Sequence, residues 1–304
     1  MSGRQLTAGP GGSVAEAGPQ GSWSELLVRT AAALGSDVEA RWLVGGLGGV
    51  GTAELWLRGD HLVPSGLSET VARAVERRLS GEPLQHVLGR WSFRGVEVLV
   101  DQRALVPRPE TEVVVEVALA HLAALGPESA RGGLALDLGT GSGVIGLALA
   151  TERPRLRVLM TDRSREALEV ASASRALADP SVRDRIEIRE GSWYEAVPSA
   201  HLGMFACVVS NPPYLAEHEW ASLPPEVRQY DPYGALVAGP TGLEAIGEVL
   251  EGAPAWLAPR GAVVVEIAPH QEGAAQRAAR EAGFANVRVV PDLSGRPRVL
   301  VGEK

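Results

Sequence analysis

One cysteine in 304 residues, Cys207, leaves no partner for an internal disulfide. Lying in an apolar run, it is expected to be a small core side chain in a reduced, cytoplasmic setting, not a nucleophile. No stretch approaches the ~20 apolar residues of a membrane helix, and the N-terminus lacks the charged-then-apolar layout of a signal peptide. Basic charge is in short supply: 29 Lys and Arg stand against 37 Asp and Glu, a net charge of −8. That balance tilts away from a general nucleic-acid binder without excluding a local basic patch. Six histidines show no metal-ligand spacing, so no metal site is expected, and His86, His218 and His270 are given no catalytic role. What the chain has in quantity is apolar content, 45%, enough for a real core.

Along the chain, residues 1–21 are rich in Gly, Pro, Ser and Ala and are expected to form a disordered tail. Helical patterning starts at Ser22, an N-cap with Glu25 three residues on and Trp23, Leu26, Leu27 and Thr30 on one face. A second short helix is expected from Asp37 to Val44, ending in glycines 45, 46, 48 and 49. A third runs from Ser68 to Gly81, and Glu82-Pro83-Leu84 begins another turn. Trp91–Phe93 and Val96–Val100 around Arg94-Gly95 read as a hairpin. The segment Leu105-Val106-Pro107-Arg108-Pro109-Glu110 is held extended by its prolines before Thr111 opens a helix. The expected division is a tail (1–21), an N-terminal helical domain with the hairpin (22–105), read either as a packing or linker module or as a partner-docking, substrate-recognition domain, and a larger domain (106–304).

In that larger domain strand-like runs at 134–138, 157–161, 186–190, 204–210 and 262–267 alternate with helical segments, and two more strands, 286–290 and 298–302, close the chain. Alternation of this kind predicts an α/β fold, a doubly wound, mostly parallel seven-stranded sheet with helices on both faces. The first three strands step to one side and the fourth starts on the other. The ends of 134–138 and 204–210 therefore flank the topological switch point, where open α/β sheets bind ligands.

Two stretches fall at those ends. Asp137-Leu138-Gly139-Thr140-Gly141-Ser142-Gly143 is strand, tight turn and helix start, and its glycines allow positive φ and a close approach to a ligand. Asp162, 19 residues after Gly143, ends the next strand, where a carboxylate can accept from ribose hydroxyls. Gly141 to Gly146 also satisfies the dinucleotide fingerprint. Asp137, however, disfavours a pyrophosphate and suits an ammonium group, which points to S-adenosylmethionine over NAD. After the second strand, Asn211-Pro212-Pro213-Tyr214 makes a stiff corner with an amide, a free carbonyl and an aromatic ring. That set suits a planar NH2 group.

These motifs together resemble a class I S-adenosylmethionine-dependent methyltransferase of the amino-group type. Three more stretches, Arg78-Leu79-Ser80-Gly81-Glu82-Pro83-Leu84, Val106-Pro107-Arg108-Pro109-Glu110-Thr111-Glu112 and Asp231-Pro232-Tyr233-Gly234-Ala235-Leu236, narrow the resemblance to the bacterial HemK/PrmC family. Members methylate the side-chain nitrogen (N5) of the glutamine in the Gly-Gly-Gln motif of class 1 peptide chain release factors.

The resemblance implies that Gly139, Thr140, Gly141, Ser142 and Gly143, with Asp137, hold the methionine part of the cofactor. Asp162 holds its ribose, and Ser192 and Trp193 lie near its adenine. Relatives commonly carry Asp where this chain has Ser192, so a weaker adenine contact is expected. Asn211, which is also expected to contact the cofactor, and the Pro212 carbonyl would accept the two N–H bonds of the substrate amide, Pro213 would stiffen the corner and Tyr214 would stack on the amide plane. Arg108 and Glu110 read as a hinge, a substrate-side wall or a plain interdomain ion pair. Glu266 reads as structural or as near the substrate mouth. S-adenosyl-L-homocysteine would be the product, and a monomer is expected. The alternatives are a glutamine methyltransferase acting on a ribosomal protein, a nucleic-acid amino (adenine N6-type) methyltransferase, an NAD-dependent oxidoreductase and a binding module without activity.

Overall fold

The computed structural model describes residues 21–126 and 133–304, so the tail expected at 1–21 lies outside it apart from Gly21. The chain divides into two compact units, the first ending at Ser80 and the second running from Gly81 to Lys304.

The first unit holds helices α1 (Trp23–Leu34), α2 (Asp37–Gly48), α3 (Thr52–Leu57) and α4 (Leu67–Leu79). Ser22 and Glu25 form a reciprocal cap: the Ser22 hydroxyl accepts from the Glu25 amide and the Glu25 carboxylate accepts from the Ser22 amide. The cap of α2 is Ser36, one residue before the expected Asp37. This helix also runs on through Gly45, Gly46 and Gly48 instead of ending at Val44. Packing overrides propensity there, because a Cβ on Gly48 would lie 2.5 Å from the buried Trp23 ring. Glu39 and Arg78 then tie α2 to α4 through an ion pair of 2.9 Å.

The second unit begins with α5 (Leu84–Leu88), the hairpin β1 (Arg90–Phe93) and β2 (Val96–Leu99), and α6 (Thr111–Ala124). There follow β3 (Leu134–Leu138), α7 (Val144–Glu152), β4 (Arg157–Asp162), α8 (Arg165–Leu177), α9 (Pro180–Arg183), β5 (Ile186–Glu190) and β6 (Phe205–Ser210). A small excursion comprises β7 (Leu215–Ala216), α10 (Pro225–Tyr230), α11 (Tyr233–Leu236) and β8 (Val237–Gly239). The chain closes with α12 (Glu244–Trp256), β9 (Leu257–Glu266), α13 (Glu272–Glu281), β10 (Asn286–Pro291) and β11 (Pro297–Glu303).

The seven-stranded sheet has the order β10-β11-β9-β6-β3-β4-β5, parallel except where β11 pairs with β9 and β10. Alternate side chains feed two cores: Ala135, Cys207 and Val264 join one with α6 and α7, and Leu136, Val208 and Val263 join the other with α12 and α13. The hairpin, expected to travel with the N-terminal helices, belongs to the second unit. Its Phe93, Val96 and Val98 are buried in the same core as α6 and α7, and apolar burial fixes its membership.

The order reverses between β3 and β6, the switch point the alternation predicts. Leu138 and Ser210 are register partners, and the Ser210 hydroxyl donates to the Leu138 carbonyl at 2.8 Å. The next residues along each strand, Gly139 and Asn211, therefore leave the sheet side by side.

Candidate active site

Those two exits open onto a cavity of about 340 Å³ that lies within the second unit. Gly139, Thr140, Gly141 and Ser142 line one wall, and Asn211 and Pro213 line another. Asp162, Ser192 and Trp193 contribute from the ends of β4 and β5, while Val106, Arg108 and Thr111 contribute from the segment entering α6.

The glycine wall is a left-handed turn pinned by the Asp162 carboxylate. Gly139, Gly141 and Gly143 have φ of 65°, 56° and 87°, where side chains are disfavoured. The Gly141 amide donates to Asp162 Oδ2 at 2.9 Å, and the Ser164 amide donates to Oδ1 at 2.8 Å. Asp162 thus pins the turn while its carboxylate, half-buried, keeps lone pairs for a further donor. Trp193 takes a φ of 44° and its carbonyl accepts from the Thr161 hydroxyl at 3.2 Å. Its ring comes within 3.5 Å of where a Cβ on Gly139 would sit, so glycine there serves both the turn and the ring's approach.

Asp137 is not where an ammonium-binding role needs it. It has no exposure and does not line the cavity. Its Oδ2 accepts from the Thr140 hydroxyl at 2.6 Å and the Gly146 amide at 2.9 Å, and Oδ1 is buried without a partner among the described residues. Burial, with some repulsion from Asp162, pushes its pKa up to about 7 against the pull of those two bonds. The expected contact is corrected to a brace beneath the loop.

The diproline corner also differs in part from expectation. Asn211 and Pro213 face the cavity, but Pro212 and Tyr214 do not line it. The Pro212 carbonyl accepts no hydrogen bond from a described residue. Tyr214 packs its ring against the α12–α13 core, and its backbone is clamped by bonds from its amide to the Leu236 carbonyl and from Gln271 Nε2 to its own carbonyl. An aromatic ring gains more from that apolar face than from the open crevice. Stacking on a substrate amide is therefore not what this conformation presents.

Thr111, outside the expected set, completes the wall, and Glu266 lies buried behind it. Asn211 Nδ2 donates to the Thr111 hydroxyl at 3.1 Å, and that hydroxyl donates to Glu266 Oε2 at 2.8 Å. Thr111 had signalled only a helix start, and Glu266, at a strand end, a structural residue or one near the substrate mouth; their meeting is a long-range contact with no local signature. Arg108, read as a hinge, wall or interdomain pair, lines the cavity and pairs at 2.6 Å with the buried Asp231 inside the second unit. The segments around Arg108 and Asp231, singled out separately in the sequence, are thus one joined feature.

A switch-point cavity walled by a glycine turn and by Asn211 and Pro213 of an Asn-Pro-Pro-Tyr corner defines an S-adenosylmethionine-dependent methyltransferase, and residues 116–223 match the methyltransferase small domain family. Residues 25–89 match the PrmC N-terminal domain. The release factor glutamine methyltransferase of Chlorobaculum tepidum is 41% identical over 86% of this chain and 88% of that protein. Its counterpart in Xylella fastidiosa strain 9a5c is 38% identical over 82% and 86%. This chain belongs to the release factor glutamine methyltransferase family. Among solved structures, the hMettl16 catalytic domain in complex with the MAT2A 3'UTR hairpin 6 shares the fold at a TM-score of 0.54 and 13% identity, covering 78% of this chain and 81% of that one.

Proposed function

We propose that the protein transfers a methyl group from S-adenosyl-L-methionine to N5 of the glutamine in the Gly-Gly-Gln motif of class 1 peptide chain release factors, with S-adenosyl-L-homocysteine as product. One observation carries the reading: the glycine turn and the Asn211 carboxamide leave register-paired strand ends and face one cavity.

The residues fit the cofactor. A Cβ on Gly141 would meet no atom within 4 Å, so the turn keeps clear a place that a side chain would fill. Gly139 to Gly143 would hold the methionine part, Asp162 the ribose hydroxyls, and Ser192 and Trp193 the adenine side. When bound, the cofactor supplies an electrophilic methyl group on a sulfonium.

The chain's own task is to aim an amide nitrogen, a weak nucleophile because its lone pair is shared with the carbonyl. Asn211 Oδ1 accepts one N–H of the glutamine amide; Pro212 is buried and does not line the cavity, so its carbonyl is not assigned the other. A fixed acceptor favours the positive charge that grows on nitrogen, and alignment of two reactants contributes up to ~7–11 kcal/mol. No general base is needed before transfer, since the methylated nitrogen becomes acidic enough to lose its proton to solvent or a carbonyl. Docking of the release factor on the first unit, action as a monomer and a cytoplasmic location belong to the same reading.

The test is methyl transfer from labelled cofactor to a purified release factor, with peptide mapping and a Gln→Ala variant of the Gly-Gly-Gln motif as control. Label confined to that glutamine supports the proposal. Label on a ribosomal protein or a nucleic acid, with none on the release factor, overturns it.

A further inference from the structure

We infer that Thr111 and Glu266 are positioning residues that decide which end of the Asn211 carboxamide meets the substrate amide. The inference rests on the proposed function, because it concerns how that amide is received.

A primary amide side chain has two ends of nearly equal size, one an acceptor and one a double donor. Turned one way, Asn211 can accept an N–H from a glutamine side chain. Turned the other, it sets donors against donors and the substrate nitrogen is repelled. Shape alone does not choose between them, so the choice falls to hydrogen-bond direction.

Direction is imposed from outside the corner. Burial pushes the Glu266 pKa up to about 7; above that pH it is ionised and can only accept, so the single proton of the Thr111 hydroxyl is committed to Glu266 Oε2 at 2.8 Å. The Thr111 oxygen then has only lone pairs left for Asn211, which must turn Nδ2 toward it, at 3.1 Å. Oδ1 is left without a partner among the described residues, on a side chain that lines the cavity. Thr111 is 2% exposed and Glu266 1%, so water does not compete for the chain. The three residues come from the start of α6, the end of β6 and the end of β9. Arg298 from β11, Arg108 and Glu110 ahead of α6, and Tyr214 from the corner are the charged or titratable groups around Glu266. The side chain of Arg298 hydrogen-bonds Asp292 and the Ile267 carbonyl, leaving Thr111 as the hydrogen-bonding partner of the Glu266 side chain among the described residues. A buried carboxylate is costly to keep, and commanding a hydroxyl proton beside the site is a use that matches its position.

The experiment takes the full chain with S-adenosylmethionine and a release factor, comparing wild type with Thr111→Val, Thr111→Ser and Glu266→Gln. Thr111→Val keeps the volume and loses the hydroxyl; kcat is expected to fall about 10- to 100-fold, with cofactor Kd unchanged. Thr111→Ser restores the hydroxyl and should recover most of the rate. Glu266→Gln can give an N–H to Thr111 as well as take its proton, so it should mix the two orientations and slow transfer.

The ¹⁵N side-chain amide signals of Asn211 give a readout independent of turnover. A single, exchange-protected pair is expected in wild type and in Thr111→Ser, and averaged or doubled signals in Thr111→Val and Glu266→Gln. A wild type that never methylates the release factor defeats the proposed function, while these signals still report the orientation. A full rate in Thr111→Val or Glu266→Gln overturns the role of the residue changed. So does a loss of cofactor binding in proportion to the loss of rate.

Discussion

The two walls of the crevice are built by opposite means. After β3 the chain turns on three left-handed glycines and offers a ligand mainly backbone and open space. After β6 it is stiffened by two prolines and presents one carboxamide whose direction comes from Thr111 and Glu266. A backbone cradle depends on the absence of side-chain atoms in the crevice and on the carboxylates of Asp162 and Asp137 that hold the turn. A side-chain acceptor depends on a specific atom being in place. The comparison therefore separates binding from transfer: changes on the first wall should be read in cofactor affinity and stability, and changes on the second in rate.

The largest effect is expected at Asn211. Asn211→Ala removes the acceptor but no part of the glycine wall, and kcat should fall by about 10²–10³-fold, as for removal of a single stabilising group in other active sites. Cofactor binding, measured by calorimetry, should weaken only modestly. Full activity in this variant would erase the distinction between the walls.

Much of this division can be read from the sequence, and the exceptions share a cause. Runs such as Leu134–Leu138 and Phe205–Ser210 are apolar, short and punctuated, so buried parallel strands and their switch point follow from local pattern. The glycine turn and the diproline corner are equally local. Tertiary contacts decide the rest. The run of Gly45, Gly46 and Gly48 looks like a helix end until the Trp23 ring is placed against it. Tyr214 looks like a substrate platform until the α12–α13 core claims its ring. Asp137 looks like a ligand for a cation until the Thr140 hydroxyl and the Gly146 amide are seen to take one oxygen. Glu266 and Thr111 are 155 residues apart, and nothing in either neighbourhood announces the other. The small β7–β8 pairing escapes for the same reason, with two or three residues on each side.

The second effect, on the glycine wall, sharpens the comparison. Gly141→Ala places a Cβ where no atom lies within 4 Å, on a residue that lines the cavity. Cofactor Kd should rise about tenfold, the scale of overpacking a fitted space, while kcat at saturating cofactor stays near wild type. A kcat loss without a Kd change would place the reacting group against Gly141 and invert the assignment of the walls.

Gly143→Ala should act on the scaffold instead. With φ at 87° and a Cβ only 2.8 Å from the Met160 methyl, the substitution strains the start of α7. A cost of about 1–3 kcal/mol for the backbone conformation corresponds to a Tm lower by about 2–12 °C for a domain of this size. Differential scanning calorimetry reads it directly, and an unchanged Tm would mean the turn relaxes into another conformation at little cost.

The smallest effect comes from the brace under the loop and appears only as a pH dependence. Asp137 has its pKa raised from 3.8 to about 7, chiefly by burial, so between those values the folded protein keeps a proton that the unfolded chain has released. Stability therefore falls as pH rises through that window, the reverse of the usual behaviour of a salt-bridged carboxylate. Glu266, raised from 4.5 to about 7 by its own burial, acts with the same sign. In Asp137→Asn, which cannot ionise, the decline of Tm between pH 5 and 8 should be shallower than in wild type, with the part due to Glu266 remaining. Adding Glu266→Gln should flatten it further. A slope unaltered by Asp137→Asn would mean that the loop opens to hydrate the carboxylate as it ionises, and the glycine wall would then be less rigid than the proline wall it faces.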